Sequence, residues 1–220
     1  MIDLNFDVSQ TAGWFIPEIN SSYILIRIDS KVADTWPNKL GELFRRCYIA
    51  DEALAESVAR TGFAKAKIVA TRLPDTGPTM SGDFGEILVL LYHAALKHPT
   101  KLVCPKKWRL KQDRTKPAPH SDVLHFLLPT WPKPSDGDIL MCSEVKAKST
   151  AGAFSPITAA IEDCRKDRLK RLSKTLVWLR ERAITEPLGS VSIEHLDRFI
   201  NAIDNPICTC LATLALSALL

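Results

Sequence analysis

Apolar and polar side chains alternate over Tyr23–Asp29 (YILIRID), and this stretch is rich in β-formers, so it predicts a strand. A helical period follows. Leu40, Leu43, Phe44, Cys47, Leu54 and Val58, with Asp51 as an acidic exception, predict a helix ending near Gly62. Lys67–Arg72 is expected to be a short second strand, and Leu73–Met80 (LPDTGPTM) a linker, because two prolines and a glycine interrupt any regular element. Ser81 or Asp83 is positioned to cap the next helix, which runs to about Lys97. Its middle, ILVLLYHAAL, is apolar on nearly every side and predicts deep burial. Beyond it, Lys101–Cys104 reads as a strand and Pro105–Pro119 as a basic loop. Asp122–Leu128 and Asp138–Lys148 read as two strands joined by the turn-rich PTWPKPSDG. Ser155-Pro156 starts a long helix to about Ala183, with a cap and a proline at the first helical position. Ser192 caps another, with Ile193, Leu196, Ile200 and Ile203 on one face.

This order predicts an α/β chain of the α+β type, with a mixed central β-sheet flanked by helices. It also divides the chain into an N-terminal α/β region, 1–75, and a core with C-terminal helices, 76–220. From Pro206 to Leu220 there is no charged side chain, which leaves three readings open: a buried terminal helix, a helix that docks on a partner, or a chain cut short of its natural end. With the helix after Ser192, this segment is a candidate docking surface.

Composition narrows the class. The chain has 220 residues, 46% hydrophobic and 25% charged, which suits a folded globular protein and excludes disorder, collagen or coiled coil as the main architecture. Its net charge of +4 is modest but uneven: residues 1–80 hold 9 Lys and Arg against 10 Asp and Glu, and the remainder hold 20 against 15. Six cysteines form no CxxC pair, so a structural zinc site has little support and reduced thiols are expected. The acidic N-terminus lacks an apolar signal region, and no apolar run reaches the roughly 18–20 residues needed to span a bilayer. A cytoplasmic protein with no membrane partner is the expectation.

Candidate chemistry centres on Ser143-Glu144-Val145-Lys146. On a strand, Glu144 and Lys146 share a face and Val145 points to the opposite layer. Such a pair alone is usually a solvated strand face. However, the loop Pro129–Gly137 is centred on position 133, and Asp122 and Glu144 lie equally far on either side of it. If the strands pair about that centre, the two acids stand opposite, with Cβ atoms about 4.5–5.5 Å apart, where their repulsion would call for a cation. A slip in register would separate them. Glu86, in GDFGEILVLLY, is the third acid. Buried in its helix it would need a partner or a metal, although a charge near a helix N-terminus explains it too.

Glu on a helix, Asp on a strand and Glu-x-Lys on the next strand together resemble the signature of the PD-(D/E)xK nuclease superfamily, over roughly Ser81–Thr175. Ser121 precedes Asp122 where the name motif has proline. GDFGEILVLLY, the basic stretch leading to KPAPHSDVLHF, and DILMCSEVKAKS followed by a basic helix resemble more closely the HamA-like nuclease subunit of the Hachiman anti-phage defence system. That resemblance implies a restriction-endonuclease-like core and a metal-dependent deoxyribonuclease of little sequence specificity, acting beside a helicase subunit of the same system. It implies Mg2+ or Mn2+ held by Asp122, Glu144 and Glu86, with Glu86, Asp122, Glu144 and Lys146 as the catalytic set.

DNA contacts are expected from Lys106, Lys107, Arg109, Lys111, Lys116 and Lys148. Lys97–Lys116 holds eight basic residues against one acid, Asp113, with Trp108 placed to stack on a base or pack inward. A second basic cluster comprises Arg165, Lys166, Arg168, Lys170, Arg171 and Lys174. A solvated loop and intrahelical ion pairs are the plainer readings of these clusters. His93, His98, His120 and His125 are expected to be structural, with His120 the one placed to touch phosphate. No phosphate-cradling glycine loop or dinucleotide fingerprint appears. The alternatives to a nuclease are a catalytically inactive nucleic-acid- or partner-binding module of the same fold, and a purely structural subunit.

Overall fold

The computed structural model describes residues 2–148, 153, 155–166, 171–201 and 209–219. The elements are β1 (Ile16–Ile19), β2 (Ile24–Arg27), α1 (Ser30–Ala33), α2 (Trp36–Tyr48), α3 (Asp51–Thr61), α4 (Lys65–Ala70), α5 (Pro78–Lys97), β3 (Leu102–Val103), β4 (Val123–Leu127), β5 (Ile139–Lys148), α6 (Pro156–Lys166), α7 (Leu172–Thr185), α8 (Ile193–Ile200) and β6 (Thr209–Leu219). β3-β4-β5-β6 form one mixed sheet of four strands, antiparallel except for the parallel β5/β6 pair. β1 and β2 form a separate antiparallel ribbon. The expected α/β class and mixed sheet flanked by helices are thus present.

Alternation along β4 sorts the core into two layers. Val123 joins Ile87, Leu90, Leu91 and the N-terminal Leu4, Trp36, Leu40 and Leu43 in one buried cluster. Leu124 and Phe126 join Leu140, Leu176, Leu179, Leu196 and Phe199 in the other. Helix α5 therefore covers one face of the sheet, and α7 and α8 pack against the other. The approach of α5 to β5 depends on Gly85: a Cβ there would lie 3.3 Å from both Ala147 Cβ and Val145 Cγ1.

Several expected elements differ. The helix expected through Gly62 is two, α2 and α3, because Ile49 is extended (φ −150°) before Ala50; Gly62 does end the second, in the left-handed region at φ 69°. Lys67–Arg72 is not a strand but largely α4, whose Ile68 packs with Ile49 and Leu54. β-branched residues in a short run did not outweigh that burial. Helix α5 starts at Pro78 rather than at a Ser81 or Asp83 cap, so Asp83 lies inside it, buried against Tyr48 and Lys111. The helix expected from Ser155 to Ala183 is described as α6 and α7.

The apolar terminus is a strand, β6, not a helix. A continuous apolar run suits either element, and pairing alongside β5 decided it. Helix α8 buries Leu196 and Phe199 in the core, which removes that face as a docking surface. Ser192 precedes α8 as expected, its N–H donating to His195 Nδ1 at 2.9 Å. Ile203, Arg168, Lys170 and Cys208 lie outside the described residues.

Candidate active site

The hairpin register is Val123↔Ser143 through Leu127↔Ile139. One further step sets Asp122 opposite Glu144. The backbone N–H of Val145 donates to Asp122 Oδ2 at 2.7 Å, fixing the first acid beside the second strand. Across β5, the pairing with β6 is irregular between Ser143 and Val145, where β6 carries one extra residue, so Glu144 lies opposite a bulge. Ser121, standing where the motif has proline, uses the N–H that proline lacks. It donates to Thr175 Oγ1 at 3.2 Å, and the two hydroxyls are 3.0 Å apart, so α7 is pinned to the strand start.

Glu144 is buried, and its Oε1 accepts from Lys146 Nζ at 2.6 Å. Its Oε2 is buried with no hydrogen-bond partner; Arg171 Nη2 stands 3.7 Å away. Burial, reinforced by the charge of Asp122 and opposed by Lys146 and Arg171, pushes the Glu144 carboxyl up to about 8. Lys146 also pairs with Asp163 of α6 at 2.7 Å, and Asp163 holds Lys166 at 2.6 Å. Burial disfavours the Lys146 ammonium, but the bonds to Asp163 and Glu144 outweigh it and hold the group above its ordinary range.

Glu86 lies on the other side of Asp122. Its Oε2 accepts from Trp108 Nε1 at 2.9 Å and pairs with Lys107 Nζ at 3.3 Å. Lys107 Nζ is also 3.9 Å from Asp122 Oδ1 and donates to the Ser121 carbonyl at 2.8 Å. Burial pushes the Glu86 carboxyl up to about 7, against the opposing pull of Lys107. Glu86 and Asp122 are therefore bridged by Lys107, Asp122 is tied to the Glu144 strand by the Val145 N–H, and Glu144 pairs with Lys146. Among the described residues, no group of three or more His, Cys, Asp or Glu side chains gathers closely enough to hold a metal ion by itself. The all-oxygen donors and the orphaned Glu144 Oε2 nonetheless fit a hard cation that keeps several waters.

The first half of the basic loop, through Lys111, is neither a DNA-facing surface nor a solvated loop. Lys106, Lys107 and Lys111 are buried side chains paired with Asp3, Glu86 and Asp83 respectively. The Arg109 guanidinium donates to the Arg46 carbonyl at 2.7 Å. A buried cation needs a carboxylate or carbonyl, and distant segments supply them. These four expected DNA contacts are corrected to structural partners, and Trp108 packs inward. Lys116 remains exposed beside Asp113, and Lys148 is half-buried at the end of β5.

Lys107 and Arg171, expected only as members of basic clusters, and Asp163, given no role by the sequence, are neighbours of the acids. The rings of His93 and His125 lie 5.1 Å apart inside the core, tilted by 59°, and burial lowers His93 to about 4, as suits a structural role. His120, at φ 69°, lies against Trp178.

A cleft of about 880 Å³ is lined by residues including Tyr48, Glu52, Glu56, Arg72 and Glu186, and none of the four motif residues borders it. Cys47, Cys104, Cys142 and Cys164 are all buried. No described helix is long and apolar enough to cross a membrane. A family model described as HamA matches residues 14–216, most of the chain. A search of the curated proteins found no match.

Proposed function

The chain belongs to the HamA family, a component of Hachiman anti-phage defence, and from that premise we propose that it is the system's metal-dependent DNA nuclease. The observation that carries the reading is the opposed pair Asp122 and Glu144, with Glu144 Oε2 buried and lacking a hydrogen-bond partner. Asp122 and Glu144 would hold Mg2+ or Mn2+ weakly until a DNA phosphate completes the coordination. When bound, such an ion lowers the pKa of its water and polarises the phosphoryl oxygen.

The remaining chemistry belongs to the chain's own groups. Lys146, on the same strand face as Glu144, orients the attacking water and stabilises the negative charge that builds on phosphate. Asp163 positions that ammonium. Exposed Lys116 and Lys174, with Lys148, would carry the DNA backbone without reading bases. A helicase subunit of the same system is the expected partner, in keeping with a restriction-endonuclease-like effector that must be restrained.

Plasmid cleavage, with and without Mg2+ or Mn2+, tests the reading. Wild type should cut only with metal, and Lys146→Ala should fold but lose at least about 100-fold in rate. Salt-sensitive DNA binding without cleavage would replace the nuclease reading with that of an inactive binding module.

A further inference from the structure

Lys107 is 4% exposed at its side chain, yet it carries an ammonium into the space between two carboxylates. Its surroundings satisfy it well. The Ser121 carbonyl accepts at 2.8 Å, Glu86 Oε2 lies at 3.3 Å and Asp122 Oδ1 at 3.9 Å. An ammonium has three donors, and three oxygens face this one. Glu86 Oε2 is in addition bound by Trp108 Nε1 at 2.9 Å, so that oxygen is directed at the Lys107–Trp108 segment. Asp122 is different. Its Oδ2 takes only the Val145 N–H, and each carboxylate oxygen has a second lone pair. Lys107 therefore already fills the gap on the Glu86 side of Asp122, whereas beside Glu144, where Lys146 bonds Oε1 and Arg171 stands 3.7 Å from Oε2, one buried oxygen still has no hydrogen bond.

We propose that Lys107 is a resident cation occupying the place where a second divalent ion would sit between Glu86 and Asp122. The site then admits one divalent ion, on the Glu144 side, and Glu86 is the counter-ion and positioning partner of Lys107 rather than a metal ligand. Two like charges would otherwise compete for one small buried space, which the short distances do not permit. The proposal rests on the nuclease reading and refines its metal set, which sequence reasoning extended to Glu86.

The test is Mn2+ binding to the full chain, followed by water-proton relaxation up to millimolar Mn2+, beside a thermal melt of each variant. Wild type should bind one Mn2+, and Glu144→Gln should abolish binding. Lys107→Met should bind two. If Lys107→Met fails to fold, the charge-neutral double variant Glu86→Gln/Lys107→Met decides the matter, because removing both partners of a buried pair is far better tolerated than removing one. The double variant should keep one Mn2+ within about threefold of wild-type affinity, whereas loss of a true ligand would cost about tenfold or more. Two ions on wild type, one on a folded Lys107→Met, or a tenfold loss in the double variant would overturn this inference and leave the nuclease reading standing. No Mn2+ on wild type, together with no cleavage, would overturn both.

Discussion

Val145 donates its backbone N–H to Asp122 Oδ2 at 2.7 Å, so the carboxylate that opens β4 is held by the residue between Glu144 and Lys146. The two motif strands are thereby locked at the one register that sets both acids opposite each other. The lock is charge-assisted and stronger than a neutral hydrogen bond. It also leaves the Glu144 and Lys146 side chains together on the opposite face from Val145.

Asp163 should act through Lys146. Its carboxylate lies 2.7 Å from the ammonium, which Glu144 holds at 2.6 Å from the other side. Asp163→Asn should lower kcat by roughly tenfold with KM for plasmid changed by less than about twofold, since it loosens a group that works in the transition state. Asp163→Glu should recover part of the loss. Steady-state cleavage kinetics check this, and a rise in KM alone would assign Asp163 to DNA binding.

The stability of the metal-free protein should fall as pH rises from about 5 to 8. The Glu144 carboxyl is pushed up to about 8 and that of Glu86 to about 7, mainly by burial. Their unfolded values lie near about 4.3. A raised folded value means the native state binds the proton more tightly, so the contribution is complete below the unfolded value and is lost through the folded one. With both groups contributing, the slope should approach roughly 2.7 kcal/mol per pH unit near pH 6 and about halve in Glu144→Gln. Added Mg2+ should protect most at high pH, where the carboxylates are ionised. Thermal melts across pH, with and without Mg2+, measure both effects.

Basic residues of the two clusters should separate into two classes. Lys111→Met leaves Asp83, buried within α5, without its ammonium, although Tyr48 still donates to it. A loss of about 3–5 kcal/mol is expected in chemical denaturation. Lys116→Ala and Lys174→Ala remove exposed cations and should leave stability within about 0.5 kcal/mol. Each should instead reduce the salt dependence of DNA binding by about one ion. Unchanged salt slopes would place the DNA path elsewhere.

Gly85→Val should disturb the site from behind. Any Cβ at position 85 meets Val145 and Ala147 at 3.3 Å, and a branched side chain has no room between α5 and β5. A destabilisation of about 1–3 kcal/mol is expected from overpacking. Glu86, the next residue, would move with the helix, so cleavage should fall further than stability alone explains. Near-UV circular dichroism of the Trp108 environment reports the displacement.

What the chain determined locally was the hairpin. Strand alternation and a loop centred on one position set Asp122 against Glu144 only if the strands pair about that centre, and the tertiary structure fixed that register among those a long loop allows. Burial of α5, and with it Glu86, followed from a helix apolar on nearly every side. The tertiary structure decided what the cations do. Lys106, Lys107 and Lys111 form a basic run in sequence, but Asp3, Glu86 and Asp83 arrive from three other places to bury them. It also decided the short or featureless runs: KAKIVA became a helix by packing Ile68, and the uncharged terminus became a strand by pairing with β5. Periodicity reports which face of an element is apolar, whereas the partner of a buried charge and the neighbour of an apolar strand are set by contacts between residues far apart in the chain.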